Sequence, residues 1–192
     1  MIKRTIPTLL LASAMMITIV GCSGAATEEN TTEIEEASDS NSDNTNHELT
    51  DDAFLYNGNK ISILNDATIT LGNLGDYDAD RSSTGSDYKN YSFDNGKIDF
   101  ATNVIDGKEA PVDIGIFSPD IKTSRDVGVG STKDEITGAY GDPDTKTDDG
   151  LIYTIEYQFD TYNITFRFDD TKAKVDMVLY TNSYYHSKTA FS

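Results

Sequence analysis

Six oxygen-bearing side chains, Asp76, Asp78, Asp80, Ser82, Thr84 and Asp87, stand at positions 1, 3, 5, 7, 9 and 12 of a calcium-loop spacing. Calcium takes about six to eight oxygen ligands, and this spacing is one that converges them. Three departures weigh against a site: Arg81 stands where the sharp turn needs glycine, Asp87 is shorter than the usual bidentate glutamate, and no strong helix pattern flanks the loop. Asp, Ser and Gly are also ordinary turn residues, so an acidic turn is the favoured reading and a metal at Asp76, Asp78, Asp80 and Asp87 the alternative. Catalysis has less to draw on. A serine nucleophile needs a neighbouring base, and the only histidines are His47, in a polar stretch, and His186, placed in a tail after the last strand. Gly128 and Gly130 lack the lysine of a phosphate loop. With one cysteine there is neither a thiolate zinc cluster nor a disulfide. The reading is therefore non-enzymatic, with no cofactor.

That cysteine, Cys22, ends the run Ile19-Val20-Gly21-Cys22 behind an apolar segment from Ile6 to Val20, itself preceded by Lys3 and Arg4. The apolar segment is short for a membrane span, which needs about 20 residues, and fits the core of an export signal. The arrangement resembles a bacterial lipoprotein signal peptide with its lipobox. The resemblance implies cleavage after residue 21, a covalent diacylglycerol on Cys22, and an extracytoplasmic protein anchored to the cell membrane. A Gram-positive surface is favoured, with the outer membrane as the Gram-negative counterpart. Removing residues 1–21 leaves 13 Lys and Arg against 33 Asp and Glu, a formal charge of −20. Such a chain repels phosphate, which argues against nucleic acid and against electrostatic membrane binding. Residues 22–50 are Thr, Ser, Asn, Glu and Asp with almost no large apolar side chain, too little to offset chain entropy. They read as an acidic, disordered tether.

The remainder carries an internal correspondence. Gly75-Asp76-Tyr77-Asp78 lies on Gly141-Asp142-Pro143-Asp144 at an offset of 66, and Tyr91, Phe93, Ile98 and Phe100 fall on Tyr157, Phe159, Ile164 and Phe166. Collinear matches of this kind point to one supersecondary unit used twice, residues 51–120 and 121–186, with 187–192 as a tail. In the second unit Thr132 and Glu135 form a capping box that predicts a helix over 133–140. Leu151 to Phe159, Tyr162 to Phe168 and Val175 to Leu179 alternate in apolar character and predict three strands. The first unit predicts a weak helix near 66–73 and strands near 88–94, 97–103 and 111–118. The expected class is α+β: two tandem repeats of a helix plus an antiparallel meander.

Val127-Gly128-Val129-Gly130-Ser131, the following helix, Tyr140-Gly141-Asp142-Pro143 and the tyrosine-rich meander through Phe166-Arg167-Phe168-Asp169 and Val175-Asp176-Met177-Val178 resemble the repeat of the β-lactamase inhibitor protein-like fold. That fold also serves a small lipoprotein of the outer-membrane barrel assembly machine. The resemblance covers about 60–182 and implies sheet surfaces and loops that bind other proteins, with no catalytic residues and no implication of β-lactamase inhibition. The leading expectation is a surface-tethered binding module for a protein or glycan in the envelope or outside the cell. A structural lipoprotein that scaffolds an envelope complex is the alternative, and a calcium-binding surface protein the second. Tyrosine offers rigid area with a polar tip, so Tyr88, Tyr153, Tyr157, Tyr162 and Tyr180 are candidate contacts. Tyr88 and Tyr180 are expected to be exposed, Tyr180 because strict alternation puts it on the face of Asp176 and Val178.

Overall fold

The computed structural model describes residues 49–189; the expected signal segment, Cys22, His47 and the expected tether up to residue 48 lie outside the described residues. The fold begins with a hairpin, β1 (Ala53–Tyr56) and β2 (Asn59–Ser62). Asn57 and Gly58 join them with φ of 49° and 81°, the paired left-handed conformation that a two-residue hairpin turn demands and that Asn-Gly supplies cheaply. Helix α1 (Ala67–Leu74) follows and buries Ala67, Thr70 and Leu74. Reciprocal bonds tie it to the hairpin: the Asn59 side-chain amide donates to the Asn73 carbonyl at 3.0 Å, and that of Asn73 to the Lys60 carbonyl at 3.2 Å.

Strands β3 (Ser83–Thr84), β4 (Tyr88–Phe93), β5 (Ile98–Ile105) and β6 (Lys108–Ile116) come next. Helix α2 (Lys133–Tyr140) precedes β7 (Thr145–Asp148), β8 (Tyr153–Gln158), β9 (Tyr162–Phe168), β10 (Val175–Asn182) and helix α3 (Ser183–Thr189). The capping box of α2 is formed as expected, Glu135 N–H donating to Thr132 Oγ1 at 3.2 Å and Thr132 N–H to Glu135 Oε2 at 2.6 Å.

The eight strands β3 to β10 make one antiparallel sheet in the order β3-β4-β5-β6-β10-β9-β8-β7. Of the described residues 43% are strand and 18% helix, so the fold is mostly β, and the expected α+β class of two tandem helix-plus-meander repeats is incorrect. The physical reason lies at the centre of the sheet. Val178 pairs with Ile116 and Tyr180 with Ile114, so β6 and β10 share one ladder and leave no interior edge. The helices remain short, α1 being held to eight residues by the β-branched Thr68, Ile69 and Thr70 and by Gly72.

One face of this sheet carries the core. Phe93, Ile98, Phe100, Ile114, Ile116, Ile155, Ile164, Phe166, Val178 and Tyr180 are buried there with Ile63, Leu74 and Ile136. Two alternation-based readings change. Leu151 lies outside β8 at a hairpin tip, 87% exposed, and Phe159 falls just beyond that strand, half-buried and stacked on Tyr162 with ring centroids 4.5 Å apart. In β10 the register slips between Val175 and Met177. One inserted residue reverses which side chains face inward. Val178 and Tyr180 therefore enter the core, while Met177 and Leu179 turn outward.

Candidate binding face

The side of the sheet away from the core is traced by its pairing register. One row runs Ser92, Asp99, Gly115, Leu179, Thr165, Glu156, and the next runs Asn90, Ala101, Asp113, Thr181, Asn163, Gln158. Tyr88 stands at the end of β4, 53% exposed. Phe117, just past β6, is exposed at the rim, and Met177 and Leu179 are half-buried on the neighbouring strand β10. Glycine at 115 permits this arrangement, because a β-carbon there would come within 3.1 Å of the Phe117 ring.

The polar groups on this face are held in place by one another. Arg167 forks onto Asp176, Nε to Oδ1 at 2.8 Å and Nη2 to Oδ2 at 3.2 Å, a two-bond geometry that fixes both side chains. Glu156 accepts from Thr165 at 3.2 Å and from Gln158 at 2.8 Å. Asp113 accepts from Thr181 Oγ1 at 2.6 Å and lies 3.6 Å from His186 Nδ1. Burial raises the Asp113 carboxyl above its ordinary range, against the opposing pull of Thr181 and His186. Burial raises the Tyr88 phenol as well, helped by the charges of Asp113 and Asp99. The face is thus a rigid, acidic surface with aromatic and aliphatic islands.

His186 is not in a loose tail. It belongs to α3, which packs across β5, β6, β9 and β10. Asn182 signals this helix, its side-chain oxygen accepting from Tyr185 N–H at 3.1 Å in the manner of an N-cap. The pair Asp113–His186 has the form of a carboxylate-oriented imidazole, yet the adjacent hydroxyls are spent: Thr181 donates to Asp113 and Ser187 to the Tyr184 carbonyl at 2.9 Å. It fastens a helix to the sheet.

Of the candidate tyrosines, Tyr88 is on the outward face. Tyr180 is a correction: the β10 bulge turns it fully inward, 5.7 Å from the Phe54 ring, where no partner can touch it. Tyr157 is buried on the core face and donates to the Gly141 carbonyl at 2.9 Å, burial pushing its phenol up to about 12. Tyr153 and Tyr162 pack against the same core. Asp76, Asp78, Asp80 and Asp87 are not brought together. Ala79–Arg81 forms a 3-10 turn, Asp78 receives Asn95 N–H at 2.7 Å, and Asp87 lies beyond β3. Among the described residues no group of three or more His, Cys, Asp or Glu side chains is disposed to hold a metal.

A concavity of about 500 Å³ is lined by Thr50, Asp51, Asp52, Ser124, Arg125 and Tyr162. Its charges serve each other: Arg125 binds Asp51 through Nε at 3.0 Å and Nη2 at 2.5 Å, donates to the Ala139 carbonyl at 2.9 Å, and lies 4.4 Å above the Tyr140 ring. It is a latch joining the start of the domain to α2. No known protein family, curated protein or solved structure matches the chain.

Proposed function

We propose that the protein is an exported, lipid-anchored binding module, non-catalytic, whose outward sheet face docks an envelope or extracellular protein. The observation that carries this reading is the outward face itself: Tyr88 exposed at the end of β4, Phe117 exposed past β6 with Met177 and Leu179 on the adjoining β10, set among carboxylates already fixed by Thr165, Thr181 and Arg167. Interfaces concentrate their energy in a few aromatic and apolar anchors ringed by polar groups, and prefixed side chains spare the entropy of ordering. Tyr88 has the exposure and rigidity of such an anchor. Arg167, tied to Asp176, has the fork geometry to align a rim.

Photo-crosslinking in cells tests the proposal. A crosslinking residue at Tyr88 or Leu179 is expected to trap one discrete protein, while the same residue at exposed Asp134 on α2 traps none. Trapping at position 134 alone, or at none of the three, would overturn it.

A further inference from the structure

Strand β7 is the last strand of the sheet, and among the described residues nothing pairs with its outer side. Its four residues, Thr145-Lys146-Thr147-Asp148, are all exposed. Asp149 N–H bonds the Ile152 carbonyl at 3.3 Å at the hairpin end. Because exchanged bonds alternate along an antiparallel ladder, Thr147 and Thr145 bond β8 opposite Thr154 and Glu156. The N–H and C=O groups of Lys146 and Asp148 therefore point out of the sheet. An open edge of this kind is a template for a further strand.

Charge and hydrophobicity around the edge narrow what that strand is. Asp142, Asp144, Asp149 and Glu156 border it against Lys146, while Asp148 and Lys172 offset each other in an ion pair at 2.7 Å. A second copy of a chain of charge −18 brings the same acids to the same edge and is repelled. Beyond the strand, Asp149 Oδ1 accepts from Leu151 N–H at 2.9 Å and Ile152 N–H at 2.7 Å, which fixes the tip and leaves Leu151 87% exposed. An apolar side chain held out at the end of an open edge gives an added strand a contact in register with its last residues.

We infer that the outer edge of β7 takes an extended, cationic segment of a protein partner as a ninth strand, with Leu151 as its apolar stop. Main-chain bonds from Lys146 and Asp148 set the pairing, and the surrounding carboxylates select basic side chains. This edge is separate from the outward sheet face, and the inference stands on its own observations.

The test is backbone NMR of the purified full chain with a synthetic peptide of about ten residues alternating lysine and valine. The amide protons of Lys146 and Asp148 are expected to exchange about tenfold more slowly with the peptide bound. The same peptide N-methylated at alternate residues, which keeps the charge and removes donors, should bind at least about tenfold more weakly, and an alternating glutamate and valine peptide should not bind. Lys146→Pro removes an outward donor while sparing the ladder to β8; it should weaken binding by about the same factor with its melting temperature unchanged. Equal binding of the N-methylated peptide, protection centred on Tyr88 and Leu179 instead, or protection of Lys146 and Asp148 by self-association without peptide would each overturn the inference. Should Lys146→Pro lose the fold, the N-methylated peptide against the unaltered chain decides the matter.

Discussion

Two aspartates on the same fold respond to pH in opposite senses. Hydrogen bonds from Arg125 hold Asp51 below the ordinary carboxylate range, with burial opposing and Ser124 adding a further bond. Its stabilising contribution is present above the unfolded value of about 3.9 and is lost as pH falls through the lower folded value. Asp51→Asn should therefore destabilise at pH 7, by under about 1 kcal/mol because the pair is partly solvated. The deficit should vanish in acid melts. Asp113 is raised by burial, so its proton favours the fold below the unfolded value, and that advantage is lost as pH rises through the higher folded one. Asp113→Asn keeps an acceptor for Thr181 without the buried charge and should raise the melting temperature at pH 7 by roughly 3 °C, with no gain at pH 3. An equal gain at both pH values would assign the effect to packing. Tyr180 is a third case: its hydroxyl is buried with no bonding partner among the described residues. Because an unmatched buried hydroxyl costs about 1 kcal/mol or more, Tyr180→Phe should stabilise, read as a higher denaturation midpoint with an unchanged slope.

Elements were legible in proportion to how local their causes are. Helix α2 could be bounded to the residue because a capping box is four residues long and self-contained, and Thr132→Ala should cost about 1 kcal/mol through the lost cap. The β1–β2 hairpin is equally local, signalled by Asn57-Gly58, but its four-residue strands offer too little alternation to mark them as strands. Strand β7 has no apolar side chain at all, since it is an edge exposed on every residue, and only its pairing with β8 defines it. The β10 bulge is invisible to alternation because Val175, Met177, Leu179 and Val178, Tyr180 are equally apolar series; burial chose the second. The correspondence between Phe93 and Phe159 holds only in part, since both pack against the core but to different depths. Phe93 is buried within β4, whereas Phe159 follows the last residue of β8 and leans on Tyr162. Truncation should separate them, with Phe93→Ala costing about 3–5 kcal/mol and Phe159→Ala markedly less in urea melts. Of the outward face, Tyr88 was foreseeable and Asp113–His186 was not, because Asp113 and His186 meet only once β6, β10 and α3 are assembled.

At the scale of the whole molecule, charge is the dominant sequence property and acts against the fold. The chain carries −18, and −20 if residues 1–21 are removed. Lipid at Cys22 would then have to supply all membrane affinity, so Cys22→Ala should shift the protein from the membrane fraction to the soluble one or leave an uncleaved precursor. Normal processing and unchanged fractionation would refute the anchor. The same charge sets how the domain responds to salt. Among the described residues the ion pairs Lys89–Glu109, Lys97–Asp94, Arg125–Asp51, Arg167–Asp176 and Lys172–Asp148 are all partly exposed. Such pairs contribute about 0–1 kcal/mol each and weaken with salt. Opposing them is repulsion among the acids that outnumber the cations, 33 against 15, which acts over a screening length of about 30 Å at 0.01 M salt and about 8 Å at 0.15 M. Repulsion summed over so many acids outweighs these weak contacts, so the melting temperature should rise by several degrees between those two salt concentrations. Sodium and potassium chloride should act alike, because general screening needs no specific cation. A melting temperature that fell with salt would mean that the ion pairs, and not the excess of acid, govern the stability of this sheet.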